Sequence, residues 1–579
     1  MCLIGFVGFI LVAWKLKTEA GGVPRTLFLA LLAMICAPFY VALVRTPKFL
    51  YLLAPVIALF LMYPIAAPHG VIYSTDPIFN FSFTEDVLDS GFWLPGTGNA
   101  FARTYSFYPI GNVFVGYVIL SAPVPANIGY LWIEPVLRLL ALPATVYAIG
   151  RRIFGPRTAV VGVLLYLGTP SILFNEPVQQ GFGTIFFGLS LLALIMLAEA
   201  ADRASQRRAQ LLFLLVASGI VMTHHLTSYV FAIWLAALGV ILVGRRYRST
   251  LPFMRLEILI AYFIGLLALY IVAVSYPIFL GHEQTLQTVV GNLLAPEEGA
   301  PGASGSSLGR TFGTFEIAWL AASVFGLFFF SIFTVRRYIA SRQHPFVVAN
   351  GIVAAAGILI TLPLILTPLN YVPLRINEYT GFVAAPFAAA TLIRWARPDF
   401  WRLNRRAPAI LRNRSWVPAV SAMVISAALV MGGNLAPVTW RAYFESFPSR
   451  TTDSPLYLGS DSLQAVNWAQ DHFTEGRIWG DQLGVDVYSG FGDLPADFGS
   501  SRIFLGTSLN ASAWSLLRIG DYVAVDSWML ILRPNFLHEI TLPGPLSPDQ
   551  IEKFATDPHF ALVYQDATFS VYRVVSLGP

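Results

Sequence analysis

Apolar runs of roughly 18 to 23 residues recur along this chain, and a run of that length crosses the hydrocarbon core of a bilayer as a helix. That feature rules out a soluble fold. With 56% of its 579 residues hydrophobic and 12% charged, the chain reads as one long helical membrane domain, residues 1–439, followed by a more polar tail, residues 440–579. Both cysteines, Cys2 and Cys36, lie in apolar runs, so neither a disulfide framework nor a Cys-based metal site is available. Met1 to Trp14 is apolar from its first residue with no basic region before it, and reads as an anchor rather than a cleavable signal. The basic balance does not point to nucleic acid. The arginines fall in short clusters between apolar runs, where they orient helices.

Those clusters fix an expected topology. GRRIFGPR (Arg151, Arg152, Arg157), DRASQRR (Arg203, Arg207, Arg208), GRRYR (Arg245, Arg246, Arg248), RRYIASR (Arg336, Arg337, Arg342) and the stretch from Arg394 to Arg414 recur at every second loop. The positive-inside rule places all five in the cytoplasm. Spans are expected near 2–16, 25–44, 49–66, 127–149, 157–174, 179–199, 209–223, 227–244, 254–276, 315–334, 344–366, 379–396 and 417–434. This makes about thirteen transmembrane helices, with the N-terminus cytoplasmic and the tail extracytoplasmic. The run YPIGNVFVGYVILSAPVP, Tyr108 to Pro125, cannot be a further crossing without turning the Arg151 cluster outward. It is expected as a helix along the outer interface, inside a large first external loop at 67–127.

On this map polar residues gather at one face. Asp76, Glu176 and Gln179 in NEPVQQGFG, His224 and His225 in THHLTS, His282 and Glu283 in the 281–312 loop, and Arg375 with Glu378 in PLNYVPLRINEYTG all fall outside. Ionisable groups at a membrane edge are costly and tend to be kept for a task. An external pocket of carboxylates, an arginine and histidines, in a chain without a nucleotide-binding loop, suits group transfer from a lipid-borne donor. A carboxylate such as Asp76 can take the proton from an acceptor hydroxyl as it attacks a sugar's anomeric carbon. Arg375 can neutralise the departing phosphate, because a guanidinium matches phosphate oxygens in a bidentate way. The lipid chain needs an apolar groove, which a multi-span helical domain supplies.

The order of features resembles the membrane glycosyltransferases of the GT-C superfamily, the class holding protein O-mannosyltransferases, the aminoarabinose transferase of lipid A and oligosaccharyltransferases. The resembling features are STDP with Asp76 after an early span, a large first loop carrying YPIGNVF, and a span closed by AIGRRIFG. They continue with TPSILFNEPV, which places Glu176 outside, then THHLTS, and RINEYTGFVAAP before a late span, so that the resemblance runs from about Tyr73 to Pro386. It implies that Asp76 is the first-loop catalytic acid and Glu176 the second external acid. It also implies a polyprenyl-phosphate sugar donor and inversion at the anomeric carbon. Tyr73, Gln179, His224, His225, Arg375 and Glu378 are the expected donor or substrate contacts. Protein, glycan and lipid all stand open as the acceptor, the surrounding membrane lipid is a partner in any case, and the compact chain suggests a prokaryotic plasma membrane.

Each residue also has a plainer explanation. Asp76 before Pro77, and Glu176 before Pro177, can cap helices. Glu85, Asp86 and Asp89 make a solvated helix face or, at Glu85 and Asp86, a place for a divalent Mg or Mn; no cofactor is certain. His224 and His225 diverge by about 100° on a helix and have no third ligand at metal spacing, which favours structural or substrate contact. Arg375 and Glu378 stand three apart and can pair with each other. The Gly-rich run from Ala295 to Arg310 reads as a lid or a linker, without a phosphate-loop pattern.

In the tail, strand-like runs (RIWGD, YVAVDS, ALVYQD, FSVYRVV) alternate with helical ones (SDSLQAVNWAQDHF, SPDQIEKFA), which suggests a small extracytoplasmic α/β domain. Its placement resembles the external domains of oligosaccharyltransferases. Gly480 separates Trp479 from Asp481 where those enzymes carry a Trp-Trp-Asp acceptor motif, so no sequon role is carried over. A secondary transporter and a non-catalytic membrane scaffold or receptor are the alternatives; the chain shows no internal repeat of the kind transporters often have.

Overall fold

A computed structural model of the chain describes residues 75–96, 105–122, 124–169, 177–244, 256–280, 314–341, 345–366, 371–402, 416–435, 460–498, 501–530 and 545–578, with a few single residues besides. Tyr73, Glu176, His282, Glu283, the run at 295–310 and all but isolated positions of the three N-terminal spans lie outside the described residues. The chain divides into two units. One draws on 1–66, 132–273 and 312–446, the other on 67–131, 274–311 and 447–579.

The apolar runs fold as helices, because in hydrocarbon a helix satisfies its backbone hydrogen bonds within one segment. Among the described residues six are long and apolar enough to cross a membrane: Ala126–Phe154, Gln179–Ala198, His225–Leu242, Leu256–Leu280, Ala321–Ala340 and Pro345–Leu364. The chain is a mostly helical integral membrane protein. Ile110–Ser121 and Pro156–Leu167 are shorter apolar helices. Gly155, at φ 89°, turns the chain through the left-handed region, and Pro156 opens the next helix where a missing N–H costs nothing. That helix stops at Leu167, short of the expected residue 174, with Gly168 as its cap and Pro170 shortly after.

Aromatic rings and buried polar side chains join the helices of the first unit. The Phe187 ring meets those of Phe231, Trp234 and Tyr379 at 5.3, 5.6 and 4.9 Å between centroids. Trp234 Nε1 donates to Asn350 Oδ1 at 3.0 Å, and Ser323 Oγ to the Leu429 carbonyl at 2.8 Å. Without a hydrophobic force between helices in lipid, such bonds and close packing hold the bundle. The Tyr371–Trp395 helix begins well before the expected residue 379. Glu378, in first turns that look too hydrophilic for a span, finds partners inside the bundle.

In the second unit the Thr75–Ser90 helix packs against Ile110–Ser121 and against the short helix Asp486–Phe491. Asn112 Nδ2 donates to the Asn80 carbonyl and, at 3.0 Å, to Thr84 Oγ1. The tail residues build a five-stranded sheet in the order β2-β1-β3-β5-β4, with β1 Ile478–Gly480, β2 Ala496–Phe498, β3 Tyr522–Asp526, β4 Phe560–Gln565 and β5 Phe569–Val574. The first three strands run parallel and the last two antiparallel to their neighbours. Trp479, Val523, Val525, Phe554, Phe560 and Tyr572 fill the core beside it.

Candidate functional site

Helices of the membrane unit bring polar side chains into one buried cluster. Glu134 and Arg138 stand one turn apart on Ala126–Phe154, and so share a face; Gln180 and Thr184 do the same on Gln179–Ala198. Glu378 and Tyr379 come from Tyr371–Trp395. The Glu378 carboxylate accepts from Arg138 Nη2 at 3.4 Å, Gln180 Nε2 at 2.8 Å and Thr184 Oγ1 at 3.3 Å. Arg138 Nη1 lies 3.8 Å from Glu134 Oε1, and the Arg138 side chain is only 1% exposed. A buried charge in a membrane unit has to be paired, and one guanidinium serves two carboxylates here.

The close approach depends on Gly181. A Cβ there would overlap Glu134 Oε1 and come within 2.9 Å of Arg138 Cδ, so any side chain at 181 makes those two side chains shift. A chain of hydroxyls continues the cluster: Tyr379 OH lies 2.7 Å from Thr227 Oγ1, which lies 3.0 Å from His224 Nδ1. The Gln180 Oε1 and both amide atoms of Asn377 are buried with no hydrogen-bond partner among the described residues. Such atoms are costly when left so.

His224, Gln179 and Glu378, expected from the sequence, are buried at this end of the helices, and the His225 ring stands 4.7 Å from that of His224. Arg375 sits about one turn before Glu378 on the same helix and acts electrostatically on Tyr379. Along that helix Glu378 and Arg394 are about sixteen residues apart, roughly 24 Å of axis. The polar cluster and the arginine-rich helix ends are thus at opposite ends of the unit. Sequence reasoning passed over Glu134, Arg138, Gln180, Thr184 and Tyr379. The signal is present in IEPVLR, two ionisable residues one turn apart inside an apolar run rather than at a span end.

In the second unit Asp76 lies in the first turn of Thr75–Ser90, where the helix dipole favours an anion. Tyr105 OH donates to its Oδ1 at 2.9 Å. Farther along the helix Glu85 and Asp86 come within electrostatic reach of Asp89 and of Asp493, which has a left-handed backbone at φ 49°. Burial, followed by the charges of Asp89, Asp493 and Asp86, pushes the Glu85 carboxyl up to about 7. Burial, then Asp493 and Asp89, pushes Asp86 up to about 6. No group of three or more His, Cys, Asp or Glu placed to hold a metal ion occurs among the described residues. In the tail, Trp479 Nε1 donates to Asp521 Oδ2 at 3.1 Å, while Asp481 Oδ1 accepts from the backbone of Leu483 and Gly484 at 2.9 and 3.2 Å. Both side chains therefore have structural work in the sheet and in a helix cap.

No protein-family model matches this chain, and no curated protein does. Among solved structures it is similar to ArnT from Cupriavidus metallidurans bound to undecaprenyl phosphate, at TM-score 0.50 and 13% identity over 92% of this chain and 99% of that one. It is also similar to the same ArnT in the apo state, at TM-score 0.47 and 13% identity over 86% of this chain and 93% of that one. ArnT is a GT-C glycosyltransferase, and the fold of this chain is GT-C-like.

Proposed function

We propose that this chain is a membrane glycosyltransferase that moves a sugar from a polyprenyl-phosphate donor to an acceptor on the extracytoplasmic face, inverting the anomeric carbon. The observation that carries the proposal is the GT-C-like fold, shared over 92% of the chain with an ArnT that was captured with undecaprenyl phosphate. In this reading the chain has about thirteen spans, a cytoplasmic N-terminus, a membrane domain at 1–439 and an extracytoplasmic α/β domain at 440–579, in a prokaryotic plasma membrane.

Asp76 takes the proton from the acceptor hydroxyl as that oxygen attacks the anomeric carbon, and the donor phosphate leaves from the opposite face with the bonding pair. The Tyr105 hydroxyl supports this role by orienting the carboxylate. Arg375 neutralises the leaving phosphate, and Glu176 is a second acid. Tyr73, Gln179, His224 and His225 contact donor or acceptor, and Glu378 shapes the donor wall through Arg138. Glu85 and Asp86 are the pair that would hold Mg or Mn: their oxygens are hard donors, and Mg needs only one or two carboxylates with water. Such an ion would offset their mutual repulsion, and no step above is routed through it.

The test is Asp76→Asn assayed with a labelled polyprenyl-phosphate sugar in proteoliposomes. Loss of a general base lowers the rate roughly 10²- to 10⁴-fold; transfer at the wild-type rate would remove Asp76 from the mechanism. A secondary transporter is the second reading, favoured by the ion-paired Glu134, Arg138 and Glu378 inside the spans. Wild-type protein that carries a solute into vesicles and transfers sugar from no lipid donor would put that reading first.

A further inference from the structure

The arginine-rich helix ends enclose a cavity of about 860 Å³ within the membrane unit. It lies at the far end of the Tyr371–Trp395 helix from Glu378 and has no part in the reaction proposed above. Arg336 and Arg337, from the last turns of Thr314–Ala340, form one side of its wall; Arg394 and Arg397 form another. No Asp or Glu is among its lining residues. Arg394 feels the like charge of Arg337, and Arg397 that of Arg157. Guanidinium groups gathered so closely repel one another unless an anion stands between them.

The remaining wall is apolar and aromatic. Phe329, Phe333 and Trp401 line it, with Phe333 47% exposed on the side of a membrane helix. Arg394 is held with its guanidinium carbon 4.9 Å from the centre of the Phe400 ring, which fixes a planar donor fork in place. A basic rim above an aromatic wall is the complement of an anionic headgroup above its chains. The volume falls within the range of about 300–1,000 Å³ usual for small-ligand sites.

We propose that this cavity binds an anionic phospholipid, with the phosphate among Arg336, Arg337, Arg394 and Arg397 and the first part of its chains along Phe329 and Phe333. By the positive-inside rule it draws the lipid from the cytoplasmic leaflet. A planar guanidinium pair grips phosphate oxygens in a way that a diffuse surface potential does not, so the site prefers a particular net charge and needs particular arginines.

The test is thermal unfolding of the purified full chain in detergent, with phosphatidylglycerol, with phosphatidylcholine of the same chains, or with inorganic phosphate. Phosphatidylglycerol at a hundredfold excess over its Kd should raise Tm by roughly 2 °C, and the other two should leave it within the scatter of repeats. The gain should disappear in R337Q/R394Q and persist in R207Q, which removes an exposed arginine from another helix outside the cavity. A gain kept by the double variant, or abolished equally in R207Q, would show general surface attraction and overturn the site. An equal gain from phosphate alone would overturn the lipid as ligand. Should the double variant fail to fold, the wild-type comparison still decides, since equal gains from both phospholipids would refute selection for an anionic headgroup.

Discussion

Replacing Arg138 by Gln takes the shared cation away from two buried carboxylates, and its cost can be worked from the geometry. Arg138 stands 3.4 Å from Glu378 and 3.8 Å from Glu134, with its side chain 1% exposed. At an effective dielectric near 20, each attraction is about 4–5 kcal/mol, offset by the repulsion between the two acids and by the desolvation of all three groups. Removing one partner of such a buried pair typically costs about 3–5 kcal/mol, because a charge is left uncompensated. For a chain of 579 residues, at about 0.8 °C per kcal/mol, the Arg138→Gln variant should melt roughly 2–4 °C below wild type. The measurement is intrinsic fluorescence during heating in detergent, at one scan rate for all variants because membrane proteins often unfold irreversibly. The triple change E134Q/R138Q/E378Q removes every charge from the group and should recover most of the loss, since neutral replacement of a whole buried pair is often close to harmless. A single variant that melts within about half a degree of wild type would refute the reasoning. So would a triple variant no more stable than the single one.

The Arg375→Ala variant should weaken donor binding far more than acceptor binding, because the guanidinium it removes is the group that grips phosphate; equal weakening in competition assays with each substrate would contradict the assignment. Glu85 and Asp86, raised to about 7 and about 6, favour the protonated state in the fold. Their stabilising contribution is fully present below the ordinary carboxylate values and is lost as pH rises through 6 and 7. Thermal stability should therefore fall between pH 5 and 8. Glu85→Gln should flatten the fall and exceed wild type at pH 8 by up to about 3 kcal/mol, with less from the half-buried, screened Asp86. An unchanged slope in Glu85→Gln would show that other groups set it. Since no proposed step needs a metal, transfer should survive EDTA. Loss restored by Mg or Mn in wild type and not in E85Q/D86N would instead place an ion at that pair.

The membrane class was legible because span length and the placing of arginines are properties of single segments, readable without tertiary knowledge. Ala126–Phe154, Gln179–Ala198 and Pro345–Leu364 lie close to the expected spans for this reason. The start of Tyr371–Trp395 was not legible. Arg375, Asn377 and Glu378 look like loop chemistry until two other helices supply Arg138, Gln180 and Thr184 as partners for Glu378. Glu134 and Arg138 were hidden in the opposite sense, by the apolar residues around them. In the tail, RIWGD, YVAVDS and FSVYRVV contain β1, β3 and β5 and ALVYQD covers all but the first residue of β4, whereas β2 is three residues, Ala496–Phe498, held by pairing with β1 rather than by any pattern of its own.

Gly181 restricts how this site can be altered. Because Glu134 and Arg138 fill the volume where a methyl group would project, the positions are coupled in what they will accept. A larger residue at 181 has to be met by movement of the Glu134 and Arg138 side chains, which a shorter acid at 134 would ease. Attempts to re-tailor the cluster should therefore vary the two positions jointly.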